Sequence, residues 1–517
     1  MNIASILGRN VIFVWLGFAS HVLITLLLTP LMISELGQES YGLWIFLQGF
    51  IGYYGLLDMG LRAGVNQTVT QRISTRDNQP LLDFLNGTLP VLWRCAGIVL
   101  GIGLILGVAL PIWLDLKTVS PGVVSWVIVI QALGVAMSFC LFPFLAILAA
   151  LQRYDLSETT TLFTKLLSAL STYLILKAQP SILLICISMF VFNLLDQMIK
   201  IGLAFAIIPA LWEVRPKTNR VQVLELVTVG GWNFICQISN LLLQTYQSLF
   251  IGSFFSLATL VPFSLGKSLA EYFNRLIGIS SRVFYPMFVY LEKRGDQYES
   301  KQLFLLTCRI SVSFSSLVCL FGITWIEPFL QIWLGNIENK MDLIASTKDL
   351  FLIFSITFIL ENLRGVASQY VMGRNEVAFL GKAMLFEATI TICLVTILGL
   401  YFGLLGVASG NLIAYAFTIF VFHFPKYMSL LSLSYPKVLF EIFAKPIVYM
   451  VLVAFGLFAY IRIQGEITTW SHVLLRVVVP ATLIASVFAP VLLTRDQASS
   501  CFGFLRDKCR QSVFRGK

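Results

Sequence analysis

The chain has 517 residues, of which 58% are hydrophobic and only 12% are charged, and its net charge is +10. A soluble globular protein carries about 25% charged residues, so this composition, with a mean hydropathy of +0.85, excludes a soluble enzyme. It predicts an all-α integral membrane protein. The 9 cysteines form no C-x-x-C pair and lie mostly in apolar runs, where cysteine behaves as a small hydrophobic residue. We therefore expect no disulfide framework, no metal site and no cofactor.

The first apolar run, residues 11–33, is too long for the core of a signal peptide and is followed by "SELGQES" rather than by a small-residue cleavage site. We therefore expect a retained helix. Runs of about 20 apolar residues continue along the chain and predict about fourteen transmembrane helices. The predicted spans are residues 10–33, 41–64, 86–114, 122–149, 158–177, 181–211, 223–251, 257–290, 303–334, 345–372, 376–401, 404–425, 438–461 and 470–494. The segments between them are short, so no soluble domain is expected.

The distribution of basic residues predicts the topology, because cytoplasmic loops of membrane proteins are enriched in lysine and arginine. Of the 36 basic residues, 21 fall in loops or tails on the side of the amino terminus and 5 on the opposite side. Both termini are therefore expected in the cytoplasm. The basic tail, residues 495–517, suits an anionic inner leaflet, so the net charge requires no nucleic-acid partner.

The other 10 of the 36 basic residues lie within predicted spans, whereas a few residues at span ends, such as Arg62 and Lys177, are counted with the adjoining loops. A lysine or arginine at a lipid-facing helix centre costs about 2.5–3.5 kcal/mol on the insertion scale. Some of these side chains can extend to the headgroup region, but not all ten. Several must face a protein interior or an aqueous cavity.

The eighth predicted span, "SLGKSLAEYFNRLIGISSR", carries most of its polar side chains on one helical face. That face holds Lys267, Glu271, Asn274, Arg275 and Arg282. One interpretation is an ion pair of Lys267 with Glu271 that helps the helix to insert. The other is a cationic wall that binds an anionic headgroup, for which arginine is suited by its forked contacts with phosphate.

Three further spans repeat this pattern of charged and carboxamide side chains. They are the second (Asp58, Arg62, Asn66), the sixth (Asn193, Asp196, Gln197, Lys200) and the tenth (Glu361, Asn362, Arg364, Gln369). The acidic members Asp58, Asp196 and Glu361 can neutralise nearby basic residues. Alternatively one of them binds Na⁺ or a proton as a coupling ion, because intramembrane carboxylates commonly mark ion pathways.

The seventh span contains "NFICQISNLLLQTYQ", which places five carboxamides within an arc of roughly 80° on a helix. They are Asn233, Gln237, Asn240, Gln244 and Gln247. Such residues join helices by hydrogen bonds. A row of five also suits the wall of a wet cavity that hydrogen-bonds a hydroxyl-rich ligand, and both interpretations remain open here.

The segment "ISELGQESYGLWIFLQGFIGYYGLLDMGLRAG", residues 33–64, resembles the first loop and second helix of the polysaccharide transporter family. That family is part of the multidrug/oligosaccharidyl-lipid/polysaccharide (MOP) flippase superfamily. The resemblance is carried by Leu36-Gly37, by Tyr41-Gly42-Leu43-Trp44 and by Leu57-Asp58-Met59-Gly60-Leu61.

The resemblance implies two pseudo-symmetric six-helix lobes, residues 1–211 and 212–427, followed by a helix pair, residues 428–494, and the basic tail. A weak internal similarity agrees with two such lobes: Trp15 corresponds to Trp232 and Gly37 to Gly252. Internal repeats with a substrate site between them are the usual build of secondary transporters.

The implied substrate is an undecaprenyl-pyrophosphate-linked oligosaccharide, such as an O-antigen repeat unit, moved across the bacterial inner membrane by alternating access. We expect H⁺ or Na⁺ as the coupling ion, and membrane lipids and other polysaccharide-assembly proteins as partners. Pyrophosphate would be bound by Lys200, Lys267, Arg275, Arg282 and Arg364. The sugar would be bound by the five carboxamides of the seventh span and Asn274. Asp58, Asp196, Glu271 and Glu361 would balance charge or bind the ion.

Two alternatives belong to other functional classes. A membrane glycan polymerase or ligase acts on the same lipid-linked units, but such enzymes typically carry a large periplasmic loop, which this chain lacks among its predicted loops. A cation-coupled drug exporter of the same superfamily would have fewer buried cations, because its substrates are themselves cationic.

Overall fold

A computed structural model of the chain describes residues 3–54, 56–73, 78–113, 119–217, 231–281, 285–295, 297–335, 337, 339–374, 376–432 and 434–464. These residues form α-helices joined by short turns, and no β-strand occurs among them. The prediction of an all-α membrane protein is confirmed.

The helices, numbered in chain order, are α1 (Ile3–Leu36), α2 (Gln38–Tyr54), α3 (Leu56–Arg72), α4 (Gln79–Trp113), α5 (Pro121–Ala150), α6 (Tyr154–Ala178), α7 (Ile182–Ile207), α8 (Gly231–Phe254), α9 (Leu260–Ser281), α10 (Tyr285–Arg294), α11 (Gln297–Trp333), α12 (Lys340–Gly373), α13 (Val377–Thr418), α14 (Phe424–Leu431) and α15 (Tyr435–Gln464). Short 3₁₀ turns lie at Pro209–Glu213 and Leu257–Thr259, and a π turn lies at Ile419–His423.

Where the structure describes them, the predicted spans up to residue 461 coincide with these helices. Residues 223–230 of the seventh predicted span lie outside the described residues. The second span is built from α2 and α3 together, and the eighth from α9 and α10. Within the part of the chain that the structure describes, eight helices are long and apolar enough to cross a membrane by length and composition alone. The predicted span 470–494 and the basic tail lie outside the described residues.

The fold divides into two compact units. Unit 1 consists of Met1–Ser264, Asn336–Glu338 and Met384–Ile392, and unit 2 consists of Leu265–Gly335, Asn339–Ala383 and Cys393–Lys517. Helices α1 to α8 therefore lie in unit 1. In that unit α4 packs on α5, α5 on α7, α1 on α6, and α8 on α2 and α3.

Helix α4 illustrates how these helices are arranged for a lipid environment. Ile98, Ile102, Ile105 and Ile112 recur every three to seven positions and are exposed, whereas Val99 and Leu110 on the other face are buried. Large apolar side chains at helical spacing on an outer surface indicate contact with hydrocarbon, since every backbone polar group of the helix is already satisfied internally.

Helix α13 contains a sharp reversal at Gly403, whose φ of 63° and ψ of −142° are non-helical. A side chain is strained at such a φ, so glycine is required. Its two arms pack closely, because a Cβ on Gly406 would lie 1.9 Å from the carbonyl oxygen of Leu398. The sequence predicts that one span ends at residue 401 and the next begins at residue 404. The reversal at Gly403 confirms this boundary, and the two arms form a tight helical hairpin.

Within unit 1, α2 lies against the turn after α8 with no room for a side chain between them. A Cβ on Gly42 would lie 1.8 Å from the carbonyl oxygen of Leu257, and one on Gly252 would lie 2.1 Å from Cδ2 of Phe46. Gly37, which the internal similarity pairs with Gly252, instead has a φ of 82° at the junction of α1 and α2. The two paired glycines are therefore required for different reasons, one for conformation and one for packing.

Candidate functional site

A charged cluster in unit 2 is built on α9. Glu271 Oε1 accepts hydrogen bonds from Nε and Nη2 of Arg275, at 3.1 and 2.8 Å, one helical turn further along. Lys267 is half-buried, and Glu271 and Glu361 are the carboxylates that act on it electrostatically. On α9 the predicted polar face is therefore an ion network in which each cation lies close to a carboxylate.

Helix α12 completes this cluster within the same unit. Asn274 Nδ2 donates to Glu361 Oε2 at 3.1 Å, which links α9 to α12. Arg364, on α12, is only 7% exposed, and its guanidinium carbon lies 4.9 Å from the centroid of the Tyr415 ring. A cation over an aromatic face is stabilised electrostatically, so an arginine is held inside an apolar helix bundle.

Five predicted residues are thus brought together in unit 2: Lys267, Glu271, Asn274, Arg275 and Glu361. Arg364 lies one turn from Glu361 on the same helix. Arg282 lies outside the described residues, and so does the side chain of Asp58 in α3. The contribution of these two residues stays a prediction.

A second charged cluster lies in unit 1, between α6 and α7. Lys200 Nζ lies 2.7 Å from Asp196 Oδ2 and donates to Thr161 Oγ1 at 2.6 Å. Thr164 Oγ1 donates to the other carboxylate oxygen of Asp196 at 3.3 Å. Since the Lys200 and Asp196 side chains are only 13% and 17% exposed, this geometry favours neutralisation of Lys200 by Asp196.

Asp196 borders a cavity of about 430 Å³ that is rich in hydroxyl groups, which we name the hydroxyl cavity. Its polar lining comes from four helices of unit 1, and includes Thr25, Thr29, Gln48, Thr161, Thr164, Lys165 and Asp196. Hydroxyls that also bond the helix backbone allow a polar lining at low cost; Thr25 Oγ1, for example, donates to the carbonyl of His21 at 2.9 Å.

A neighbouring cavity of about 380 Å³ shares Trp44, Gln48, Met189 and Asn193 with the first. We name it the carboxamide cavity, because Gln48, Gln131, Asn193 and Gln197 line it together with Arg62 and Ser138. Gln48 and Gln131 are not part of the polar faces predicted from the sequence. The available signal was that Gln131 is the lone carboxamide in the apolar run of α5, where an unpaired polar side chain is costly.

The carboxamide row of α8 has mixed surroundings. Gln237 and Gln244 are exposed, Asn240 is half-buried, and the side chain of Asn233 lies outside the described residues. Gln247 is 1% exposed, and its Nε2 donates to the carbonyl of Leu243 at 3.3 Å. Gln247 is therefore buried in the bundle but hydrogen-bonds its own helix rather than a neighbouring one, whereas the exposed members are compatible with a cavity wall.

Comparison with known proteins gives a consistent result. Residues 98–339 match the family model described as polysaccharide biosynthesis protein. No curated protein sequence matches the chain.

Among solved structures, the lipid II flippase MurJ in its inward closed conformation is similar with a TM-score of 0.70 at 12% identity, covering 93% of this chain and 99% of that chain. An inward-facing multidrug resistance MATE family transporter of the MOP superfamily gives 0.60 at 14% identity, covering 79% and 94%. A MOP superfamily transporter from Pyrococcus furiosus gives 0.55 at 13% identity, covering 83% and 96%.

Likeness at these identities establishes the fold, and the family match adds polysaccharide biosynthesis for the matched region. Both findings agree with the resemblance predicted from residues 33–64: residues 98–339 match a polysaccharide biosynthesis family, and the fold is similar to that of MOP superfamily transporters.

Proposed function

We propose that the protein is a flippase that moves an undecaprenyl-pyrophosphate-linked oligosaccharide from the cytoplasmic to the outer leaflet of the bacterial inner membrane. In this proposal both termini are cytoplasmic, and alternating access of two six-helix lobes is driven by a proton or Na⁺ gradient. The family match to a polysaccharide biosynthesis protein and the MOP fold support transport of a lipid-linked glycan.

The observation that carries the proposal is the enclosure of basic side chains in apolar helices. Arg364 is 7% exposed and Lys267 is half-buried, in neighbouring helices of unit 2. Burial of a cation in a membrane protein is costly unless it serves a pairing or a function. The diphosphate group of the substrate would stabilise these buried cations, because guanidinium and ammonium groups form charge-assisted hydrogen bonds with phosphate oxygens.

The carboxylates of these clusters supply candidates for coupling. Asp196 and Glu361 each lie beside a cation and a neutral polar partner. We propose that they balance charge, with protonation or Na⁺ binding at one of them as the step that links the ion gradient to transport.

The proposal is tested by deleting the gene in its source bacterium and measuring surface polysaccharide. We expect deletion to abolish it and to leave lipid-linked repeat units on the cytoplasmic face. Lys267→Ala, Arg275→Ala, Arg282→Ala and Arg364→Ala are then returned singly. Truncating one partner of a buried charged contact costs about 2–5 kcal/mol, so loss of a phosphate contact at Arg364, which is 7% exposed, is expected to lower flux at least about tenfold at equal protein level. The Arg275 side chain is 52% exposed, so a smaller loss is expected from Arg275→Ala.

Lys348→Ala is the matched control, because Lys348 lies on the same helix as Arg364 in an exposed pair with Glu327. It is expected to restore normal polysaccharide. Normal polysaccharide from all four test variants at normal protein level contradicts the assignment of these cations. Normal polysaccharide in the deletion strain contradicts the flippase function itself.

A further inference from the structure

We propose that the carboxamide cavity of unit 1 is a sugar-binding subsite, and that Gln131 and Gln197 are its main hydrogen-bonding residues. The inference rests on the proposed function, since it names where part of the glycan would be held. It assigns this role to residues outside both the cationic cluster of unit 2 and the carboxamide row of α8.

The cavity is lined by side chains from four helices of one compact unit. Trp44, Gln48 and Arg62 come from α2 and α3, Gln131 and Ser138 from α5, and Asn193 and Gln197 from α7. Its volume of about 380 Å³ lies within the range of roughly 300–1,000 Å³ of small-molecule sites. Walls built on packed helices hold their side chains in fixed positions, as a binding site requires.

Gln131 gives the strongest indication of a ligand. Its side chain is 7% exposed and lines the cavity, yet neither its Oε1 nor its Nε2 has a hydrogen-bond partner among the described residues. Buried polar atoms are almost always hydrogen-bonded, and an unsatisfied buried group costs about 1–3 kcal/mol. A ligand that both accepts and donates hydrogen bonds would satisfy this carboxamide.

Gln197 presents a second group in a fixed orientation. Its Nε2 donates to Ser138 Oγ at 3.1 Å and to Asn193 Oδ1, which immobilises the amide. Its Oε1 has no partner among the described residues, although the side chain is only 6% exposed. A ligand in the cavity would therefore find a pre-positioned acceptor at Gln197 and both a donor and an acceptor at Gln131.

The other lining residues suit the apolar ring face of a sugar and its acidic or acetamido substituents. The Trp44 ring and the side chains of Met189 and Phe190 supply apolar surface for the C–H face of a pyranose ring. The Arg62 guanidinium carbon lies 4.3 Å from the centroid of the Phe142 ring, which fixes its position at the cavity. There it can bind a carboxylate or an acetamido oxygen on the sugar.

This chemistry favours a sugar over a lipid chain or a cationic drug. Hydrocarbon would leave Gln131 and Gln197 unsatisfied, and a cation would meet the charge of Arg62. A hydroxyl-bearing ring supplies donors and acceptors around its edge and apolar C–H groups on its face, which matches the lining. The adjoining hydroxyl cavity, reached past Asn193, extends the same chemistry to a second residue of the glycan.

The test uses the purified full-length protein in nanodiscs and the oligosaccharide released by mild acid from the surface polysaccharide of the source bacterium. Saturation-transfer NMR measures its binding, with glucose, N-acetylglucosamine and glucuronate as additional probes. We expect saturable binding that falls at least tenfold in Gln131→Met and Gln197→Met, which keep side-chain length and remove the hydrogen-bonding atoms. Gln179→Met, at an exposed position after α6, is expected to bind as the unchanged protein does.

The outcome of this binding measurement either supports or overturns the sugar-binding subsite. Equal binding by the Met variants and the unchanged protein overturns it, and so does the absence of binding to every saccharide. Binding of inorganic pyrophosphate that depends on Gln131 also overturns it, because the cavity would then hold the headgroup. If Gln131→Met fails to fold, Gln131→Glu, which keeps the acceptor and removes the donor, is compared instead and is expected to weaken binding.

The surface-polysaccharide measurement separates this inference from the proposed function. Loss of polysaccharide on deletion, together with full restoration by Gln131→Met and Gln197→Met, retains the flippase and rejects the sugar subsite. Normal polysaccharide in the deletion strain rejects the flippase.

Discussion

Replacing Asp196 with alanine is expected to lower the free energy of unfolding by about 3–5 kcal/mol, the cost of removing one partner of a buried ion pair. The carboxylate lies 2.7 Å from Lys200 Nζ, and both side chains are at least four-fifths covered. Thr161 and Thr164 contact the pair through neutral hydroxyls, which do not replace a charge. Denaturant titration in mixed micelles measures the change.

The double variant Asp196→Ala with Lys200→Ala separates charge neutralisation from function. Because it removes both charges, it is expected to recover most of the lost stability. If it folds well but no longer transports, the pair takes part in coupling or binding. Glu327→Ala is the control: the Lys348–Glu327 pair is nearly half exposed, so a loss below about 1 kcal/mol is expected. Equal losses from Asp196→Ala and Glu327→Ala contradict the structural role of the buried pair.

Gly42→Ala is expected to destabilise unit 1 by about 1–3 kcal/mol or more, as overpacking of a close contact does. The added Cβ would lie 1.8 Å from the backbone carbonyl oxygen of Leu257, and no side-chain rotation removes that clash. Helix α2 must then separate from the turn at Leu257–Thr259. Thermal unfolding of the purified protein and cysteine cross-linking across this contact both measure the separation.

Gly49→Ala on the same helix is a control for which the expected change in stability has the opposite sign. No atom lies within 4 Å of its added Cβ, and alanine is favoured over glycine in a helix by about 1 kcal/mol. A small gain in stability is therefore expected. If Gly42→Ala is as stable as Gly49→Ala and cross-links equally well, the close approach of α2 to the Leu257–Thr259 turn is wrong.

The positions of the helices were predictable because each is indicated by the length of its own apolar run and does not depend on contacts with distant residues. A run such as that of α4 or α5 is apolar over more than 20 residues, and hydrocarbon thickness alone then requires a helix of that length. The hairpin of α13 was predictable for the same reason: the apolar stretch from residue 376 to 425 is too long for one crossing, and the glycine at 403 lies at its middle.

The charged faces of α9 and α12 were predictable as faces but not as pairs. Helical periodicity places Lys267, Glu271, Asn274 and Arg275 on one side of α9. The partnership of Asn274 with Glu361, 87 positions away, follows only from packing. The carboxamide row of α8 shows the same limit, since period alone does not distinguish the buried Gln247 from the exposed Gln244.

The carboxamide cavity escaped prediction because its members are isolated in the sequence. Four helices carry these residues: Gln48 lies on α2, Arg62 on α3, Gln131 on α5 and Gln197 on α7. Each is a single polar position in apolar surroundings or part of a different pattern. Only the fold brings these residues together. The unsatisfied amide of Gln131 indicates a binding site because the other polar residues line the same cavity.

Transbilayer movement of a lipid-linked oligosaccharide in proteoliposomes is the most direct test of the proposal that this protein is a flippase. The purified protein is reconstituted with a fluorescent undecaprenyl-pyrophosphate-linked repeat unit, and a membrane-impermeant glycosidase reports which leaflet holds the glycan. A flippase is expected to make the protected glycan accessible, faster under a proton or Na⁺ gradient and more slowly with Arg364→Ala. Accessibility that matches protein-free liposomes, or a glycan that is lengthened rather than moved, contradicts it.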